Sequence, residues 1–184
     1  MKKKLKWFSR YTGEQLEKEN AKGETHKKSY KYLKDGTMKN SVDLEKYEKD
    51  AKQWIYEVAT WLKLDPERSV SWNVLKVVLH SLRDRLPVEE TFHFSAQLPL
   101  LIRGAFFEGY RVTGKPEKFH KSEIEKRLTK VLPPTLKIDA RDAFKAVLLV
   151  LHDHVSTGEL EDIYENMPKD IKQLWDESLK THSI

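Results

Sequence analysis

The sequence predicts an all-α protein of two tandem four-helix repeats packed into one helical bundle, with a basic N-terminal arm. Three observations carry this expectation. Glycine and proline number 7 each among 184 residues and charged residues make up 34%, a composition that favours helices over sandwiches and barrels. Apolar residues recur at helical spacing from about residue 43 onward. The chain also repeats at an offset of 69 residues: "SWNVLKVVLHSLRDRLPVEETFHFSAQLPLLIRGAF" from Ser71 falls without a gap on "ARDAFKAVLLVLHDHVSTGELEDIYENMPKDIKQLW" from Ala140. Lys76 and Lys145, Val78 and Val147, Leu79 and Leu148, Leu82 and Leu151, Asp84 and Asp153, Glu90 and Glu159, and Pro99 and Pro168 are identical pairs in that alignment. Lys52 and Ile55 continue it upstream, onto Lys121 and Ile124. With 39% hydrophobic residues the chain has ample apolar surface for one packed domain.

Each repeat reads as four helices. The first covers about residues 43–62, where Trp54, Ile55, Val58, Trp61 and Leu62 lie at helical spacing. Asp65 and Pro66 start the second, as an N-cap followed by a proline at the first helical position. Its apolar positions run from Val74 and Leu75 through Val78, Leu79 and Leu82 to Leu86. A short third helix spans about 88–97, and a fourth opens at Pro99 and runs to about 110. "VTGKPEK", residues 112–118, is the linker. The second copy places its helices at about 118–131, 139–155, 157–166 and 168–179. Pro133 and Pro134 break the chain before the second of these, and "STGE", residues 156–159, is a capping box for the third. The helical domain then occupies residues 42–182, as repeats 43–112 and 113–181, and residues 1–41 form an arm that is partly ordered or docked.

The formal charge of +5 is unevenly spread. Residues 1–40 hold 11 Lys and 1 Arg against 4 Glu and 1 Asp, a net +7, which leaves −2 on residues 41–184. The body gives no reason to expect nucleic acid, while the arm suits weak, salt-dependent contact with a polyanion. "KKKLKWFSRY" and "HKKSYKYLK" interleave that charge with aromatic residues. Lys2, Lys3, Lys4, Lys6, Trp7, Arg10, Lys27 and Lys28 are the candidates for contact with nucleic acid or an anionic surface. The alternative is a solvated arm whose aromatics cover the body, since Glu14, Glu17, Glu19 and Glu24 interrupt the lysines. The absence of cysteine excludes disulfides, thiolate metal ligands and a cysteine nucleophile. No apolar run reaches the roughly 18 residues of a membrane span. The charged start "MKKKLKWFSR" lacks the apolar stretch of about 7–15 residues that a signal peptide needs, so a cytoplasmic protein is expected.

The densest polar cluster is "HSLRDRLPVEE", residues 80–90. On the second helix Lys76, His80 and Asp84 follow at i, i+4 and i+8, a polar stripe opposite the apolar face. Asp84 falls in the last helical turn, where the helix dipole disfavours a carboxylate by roughly 0.3–1 kcal/mol, so a partner must offset it. The second copy keeps Asp153 at that place and offers Lys172 where the first has Arg103. The expectation is a joint, in which each aspartate pairs with that cation, or with amides opening the next helix, and fixes the elbow. A binding or catalytic site drawn from Arg83, Asp84, Arg85, Gln97 and Arg103 is the alternative. Other constellations are weaker. His152 and His154 at i, i+2 point to different helix faces, unlike the i, i+4 pairs that metals favour, and His80 and His93 lie on different helices. No phosphate-binding glycine loop, serine elbow or paired-carboxylate motif is present. No catalytic residue, metal or cofactor is therefore expected. Gly104 in mid-helix suggests close helix packing, and Phe106, Phe107 and Tyr110 read as core, with an aromatic cage as the minor reading.

"VLHSLRDRLPVEETFHFSAQLPLLIRGAFFEGY", residues 78–110, resembles the signature of domain-of-unknown-function family 2267, a set of mainly bacterial helical proteins. "LRDRLP", "AQLP", "RG" and "EG" stand in its order, carried by residues 82–87, 96–99, Arg103 with Gly104, and Glu108 with Gly109. Tyr110 stands where a tryptophan is expected. "STGELEDIYENMP" followed by "LW" is similar to that family's closing segment, so the resemblance covers about residues 42–179. It implies a soluble all-helical domain and no reaction. Together with two stacked repeats and no catalytic constellation, it leads us to expect a non-enzymatic protein-interaction or stress-associated accessory module with a protein partner. A binder of nucleic acid or anionic surfaces through residues 1–40, and an enzyme with a polar site near Arg83, Asp84 and Arg103, stand as the alternatives.

Overall fold

Two segments carry apolar residues around so much of their circumference that they must lie inside. Residues 140–154 bury Ala143, Phe144, Ala146, Val147, Leu148, Val150 and Leu151, and residues 69–85 bury Val70, Val74, Leu75, Val78, Leu79 and Leu82. The computed structural model describes residues 44–65 and 69–180. Among the described residues there are eight helices and no strand: α1 Leu44–Trp61, α2 Ser69–Arg85, α3 Val88–Gln97, α4 Leu100–Phe106, α5 Lys121–Val131, α6 Ala140–His154, α7 Thr157–Glu165 and α8 Lys169–Lys180. The all-helical class follows the composition. The expected start of α2 at Pro66 falls outside the described residues, as does the whole arm.

The two buried helices, α2 and α6, pack on each other, and the other helices surround them. Helix α1 lies against α2, α4 and α6, and α5 lies against α2, α6 and α8. Helices α3 and α7 pack together, α4 also touches α2 and α3, and α6 also touches α7 and α8. The core they enclose is continuous, from Trp54 and Val58 of α1 through Phe94, Ile102 and Phe106 to Ile124, Leu128, Ile171 and Trp175. Phe94 meets Phe106 edge-on at 5.3 Å between ring centroids, and Trp175 receives Phe144 and Tyr164 the same way at 6.4 and 5.9 Å. No helix among the described residues is long and apolar enough to cross a membrane.

Helix ends follow from local chemistry where a cap is close in sequence. Pro87 and Pro99 occupy the N-cap positions of α3 and α4, so each proline both stops the preceding segment and opens the next helix. Asp139 caps α6, its carboxylate accepting from the Asp142 amide at 2.8 Å. The capping box of α7 is half made: Ser156 accepts from the Glu159 amide at 3.4 Å, but Glu159 Oε1 is buried without a hydrogen-bond partner.

Two helix bounds differ from expectation, for tertiary reasons. Helix α4 stops at Phe106 instead of near 110. Arg83 of α2 takes up the carbonyls of Phe106 and Glu108, and Gly109 turns into the left-handed region at φ 67°, which suits glycine and ends a helix. Helix α5 begins at Lys121, after 118, because Asp170 of α8 accepts the Lys121 amide hydrogen at 2.8 Å and caps it from across the bundle. The packing role expected of Gly104 is not found either, since a methyl group there would meet nothing within 4 Å.

Candidate functional site

A seven-residue helix such as α4 leaves most of its carbonyls without partners inside the helix. Helix α2 supplies partners from His80 and from Arg83. His80 Nε2 donates to the Ala105 carbonyl at 2.7 Å, and Arg83 Nη1 donates to the carbonyls of Phe106 and Glu108. His80 and Arg83 thus meet the end of α4, where His80 is half-buried and Arg83 buried. Burial holds the His80 imidazole below the usual histidine range, against the opposing pull of the Ala105 carbonyl; the nearby Arg83 charge lowers it further. A neutral ring with its proton on Nε2 fits the bond it makes.

Asp84 is the centre of an ion network. Its Oδ1 lies 2.9 Å from both Arg83 Nε and Nη2 and 2.6 Å from Lys115 Nζ, while Oδ2 lies 3.7 Å from Arg127 Nη1. Lys115 also holds Glu117 at 2.8 Å, and Arg127 holds Glu123 at 3.2 Å, so three cations face three carboxylates. The network pins the connection between α4 and α5 onto the end of α2. The Glu117 amide donates to the Asp84 carbonyl at 2.7 Å, and Arg85 Nη1 donates to the Glu117 carbonyl. Phe119 lies under two guanidinium groups, Arg127 at 4.6 Å and Arg85 at 5.6 Å, and the Tyr110 ring faces both Arg83 and Lys115 at 5.1 Å. Any cage that Tyr110 forms is thus occupied by the chain's own cations.

Asp84 does form a joint, but not the expected elbow between α2 and α3: its partners Lys115 and Arg127 come from the α4–α5 connection and from α5. Arg103 does not reach Asp84; its Nη2 donates to the carbonyls of Ala96 and Leu98, at 3.2 and 3.0 Å, and so caps the C-terminal end of α3. In the second half Asp153 is exposed and makes no ion pair among the described residues, and Lys172 pairs instead with Glu165 at 2.8 Å. The pairings of Asp84 with Arg103 and of Asp153 with Lys172 are therefore corrected. Gln97 stands apart from the cluster, exposed at the end of α3. The side chains of Lys115, Arg83 and Asp84 are only 2%, 5% and 11% exposed, so the centre of the network is buried and serves as a clasp, while Arg127, Glu117 and Glu123 stand at its rim. The arm candidates Lys2, Lys3, Lys4, Lys6, Trp7, Arg10, Lys27 and Lys28 lie outside the described residues.

Arg83, Asp84 and Arg85 of the clasp belong to the "LRDRLP" segment, and Arg103 of the α3 cap belongs to the "RG" segment. The sequence profile of the family described as Uncharacterized conserved protein (DUF2267) matches residues 51–174. The chain belongs to the DUF2267 family. The match runs from α1 into α8, slightly inside the 42–179 that the motifs suggest. No curated protein matches the chain.

One polar arrangement of this DUF2267 domain has no sequence signal. His154, at the end of α6, stacks on Trp54 of α1 at 4.9 Å between centroids and donates from Nε2 to Glu57 at 2.5 Å. The pair spans 97 positions, so no spacing rule reveals it. His152 turns the other way, towards Trp175, as the i, i+2 spacing expects. Asp50, Gln53, Gln97 and Pro99 complete a cleft of about 310 Å³ beside His154. Glu57 orients the imidazole, but the lining residues include no hydroxyl or thiol to act as a nucleophile. Among the described residues no group of three or more His, Asp or Glu is placed to hold a metal ion.

Proposed function

We propose that this domain is a non-enzymatic interaction module whose docking surface is the exposed face of α3 and α4. One observation carries the reading: the signature charges Arg83, Asp84 and Arg85 are engaged in the clasp and Arg103 in the α3 cap, while neighbouring apolar residues are left outside. Phe92, Leu100 and Leu101 are 55%, 49% and 49% exposed. Phe92 lies 5.6 Å from Phe107, and Phe107 shares a helical face with Leu100 and Gly104 at i, i+4 and i+7. The open space over Gly104 lets a partner's backbone approach α4 closely. The test is affinity capture with the full chain from its native cell, repeated with the Phe92→Ser/Leu101→Ser double variant. A partner that is lost with unchanged thermal unfolding supports the surface; capture that survives the double substitution removes it.

The same reading takes the bundle as two four-helix halves, α1–α4 and α5–α8. In support, α3 and α7 begin 69 residues apart, as do α4 and α8. The packing pairs also exchange between halves: α1 on α2 corresponds to α5 on α6, α1 on α6 to α5 on α2, α2 on α4 to α6 on α8, and α1 on α4 to α5 on α8. Ile102 and Ile171, identical at the same offset, are both fully buried.

A second reading rests on the charge split, +7 on residues 1–40 against −2 on the rest. Polyanion binding would then belong to the arm and fall steeply with salt. Deleting residues 1–40 should abolish binding to single-stranded DNA, RNA and anionic vesicles and leave the helical body folded. A full-length chain that binds none of them at low salt excludes this role.

A further inference from the structure

A cleft of about 470 Å³ opens between the end of α1 and one face of α6. On α6, Asp142, Lys145, Ala146 and Leu149 follow at i, i+3, i+4 and i+7, and therefore share that face. Opposite them stands Lys63, and Lys137 with Ile138 closes a third side. Three lysines thus line the cleft, together with the apolar Leu62, Ile138, Ala146 and Leu149. None of the three makes an ion pair with a carboxylate among the described residues. Against the single Asp142 they leave the cleft at a formal +2.

Lys63 adds a second, independent sign. Its amide donates to the Thr60 carbonyl at 3.1 Å and the Leu64 amide to the Ala59 carbonyl at 2.9 Å, the paired bonds of a left-handed helix cap. Lys63 holds the cap position at φ 55°, where glycine is the ordinary residue. A lysine at this backbone cost, lining a positively charged cleft, is consistent with a use for its ammonium there.

We propose that this cleft binds a phosphate monoester with a compact apolar body. The volume suits a small ligand, which ordinarily needs about 300–1,000 Å³. A phosphate monoester carries roughly −1.5 to −2 at neutral pH, which matches the +2 of the cleft better than a singly charged carboxylate does. Lys63, Lys137 and Lys145 take the phosphate as point charges, and Ile138, Ala146 and Leu149 take the apolar body. The site is separate from the α3–α4 face and does not depend on it.

Phenyl phosphate is the probe, titrated into the ¹⁵N-labelled full chain at low salt. Saturable amide shifts are expected at Ile138, Lys145, Ala146 and Leu149. Inorganic phosphate, phenylacetate and benzyl alcohol should each bind at least fivefold more weakly, because each lacks the body, one charge or all charge. Lys145→Gln and Lys63→Gly should each raise the dissociation constant at least fivefold. The second variant separates binding from folding, since glycine fits φ 55° and should melt no lower than the parent. Shifts confined to residues 1–40 would overturn the proposal. So would unchanged affinity in both variants, or a control ligand that binds as tightly as phenyl phosphate.

Discussion

Removing the carboxylate of Asp84 tests the clasp most directly. In Asp84→Ala, Lys115 keeps only Glu117 as a counter-ion while its side chain stays 2% exposed. Arg83 keeps its carbonyl acceptors but loses the 2.9 Å ion pair. Deleting one partner of a buried pair costs about 3–5 kcal/mol because the other charge is stranded. The surviving contacts offset part of that, so a loss of about 2–4 kcal/mol is expected. For a domain of this size each kcal/mol lowers Tm by about 2–4 °C, which puts the drop at roughly 5–15 °C. Urea unfolding followed by circular dichroism measures it. Asp153→Ala, exposed and unpaired, is the matched control and should stay within about 0.5 kcal/mol of the parent. A double-mutant cycle of Asp84→Ala with Lys115→Met should return a coupling of about 1 kcal/mol or more. If Asp84→Ala unfolds with its Asp153 counterpart, or if the cycle is additive, the clasp is not what holds the α4–α5 connection.

Three further outcomes follow from the caps. Arg103→Met should cost about 1–2 kcal/mol by freeing the Ala96 and Leu98 carbonyls, read as a shift in the urea midpoint at constant slope. The folded His80 binds its proton less readily than the unfolded chain does, so its contribution is fully present above about pH 6.5 and is lost as pH falls through the lowered folded value. Unfolding measured between pH 7.5 and about 5 should therefore slope less in His80→Gln than in the parent. Burial raises the Glu159 carboxyl, with Glu90 and Asp162 adding to the effect against His93. Its ionised form thus disfavours folding once pH rises above the ordinary glutamate value, and Glu159→Gln should be the more stable at neutral pH and match the parent in acid.

Much of this architecture can be read from punctuation in the chain. Pro87 and Pro99 bracket α3, whose observed span of 88–97 is the expected one, and α6 at 140–154 lies within one residue of the expected 139–155 at each end. What escaped is capping between elements. A sequence shows that α4 has orphan carbonyls and that His80, Arg83 and Arg103 can donate, but not which donor meets which helix end. The alignment at an offset of 69 misleads at Asp153. Asp84 owes its burial to Arg83 and Lys115, whereas the residue beside Asp153 is His152, and position 115 has only Ile184 as its counterpart at the offset. The residue is identical at the two positions and its surroundings are not. The Glu57–His154 pair and the three-lysine cleft were out of reach for a similar reason, since each joins α1 to α6.

The crossed packing of α1 on α6 and of α5 on α2 bears on how the chain is made. As synthesis proceeds from the N-terminus, α1 finds α2 early, but α6 emerges only some eighty residues later. Until then one flank of α1 stays exposed to solvent or to chaperones. Its final burial closes a long loop, which slows folding in a protein whose helices otherwise form locally. The same crossing acts as a fastener once both halves exist: a protease that cuts between Val112 and Lys118 would sever the backbone while each fragment still holds its counterpart's first helix, so the nicked protein should migrate as one particle until denatured.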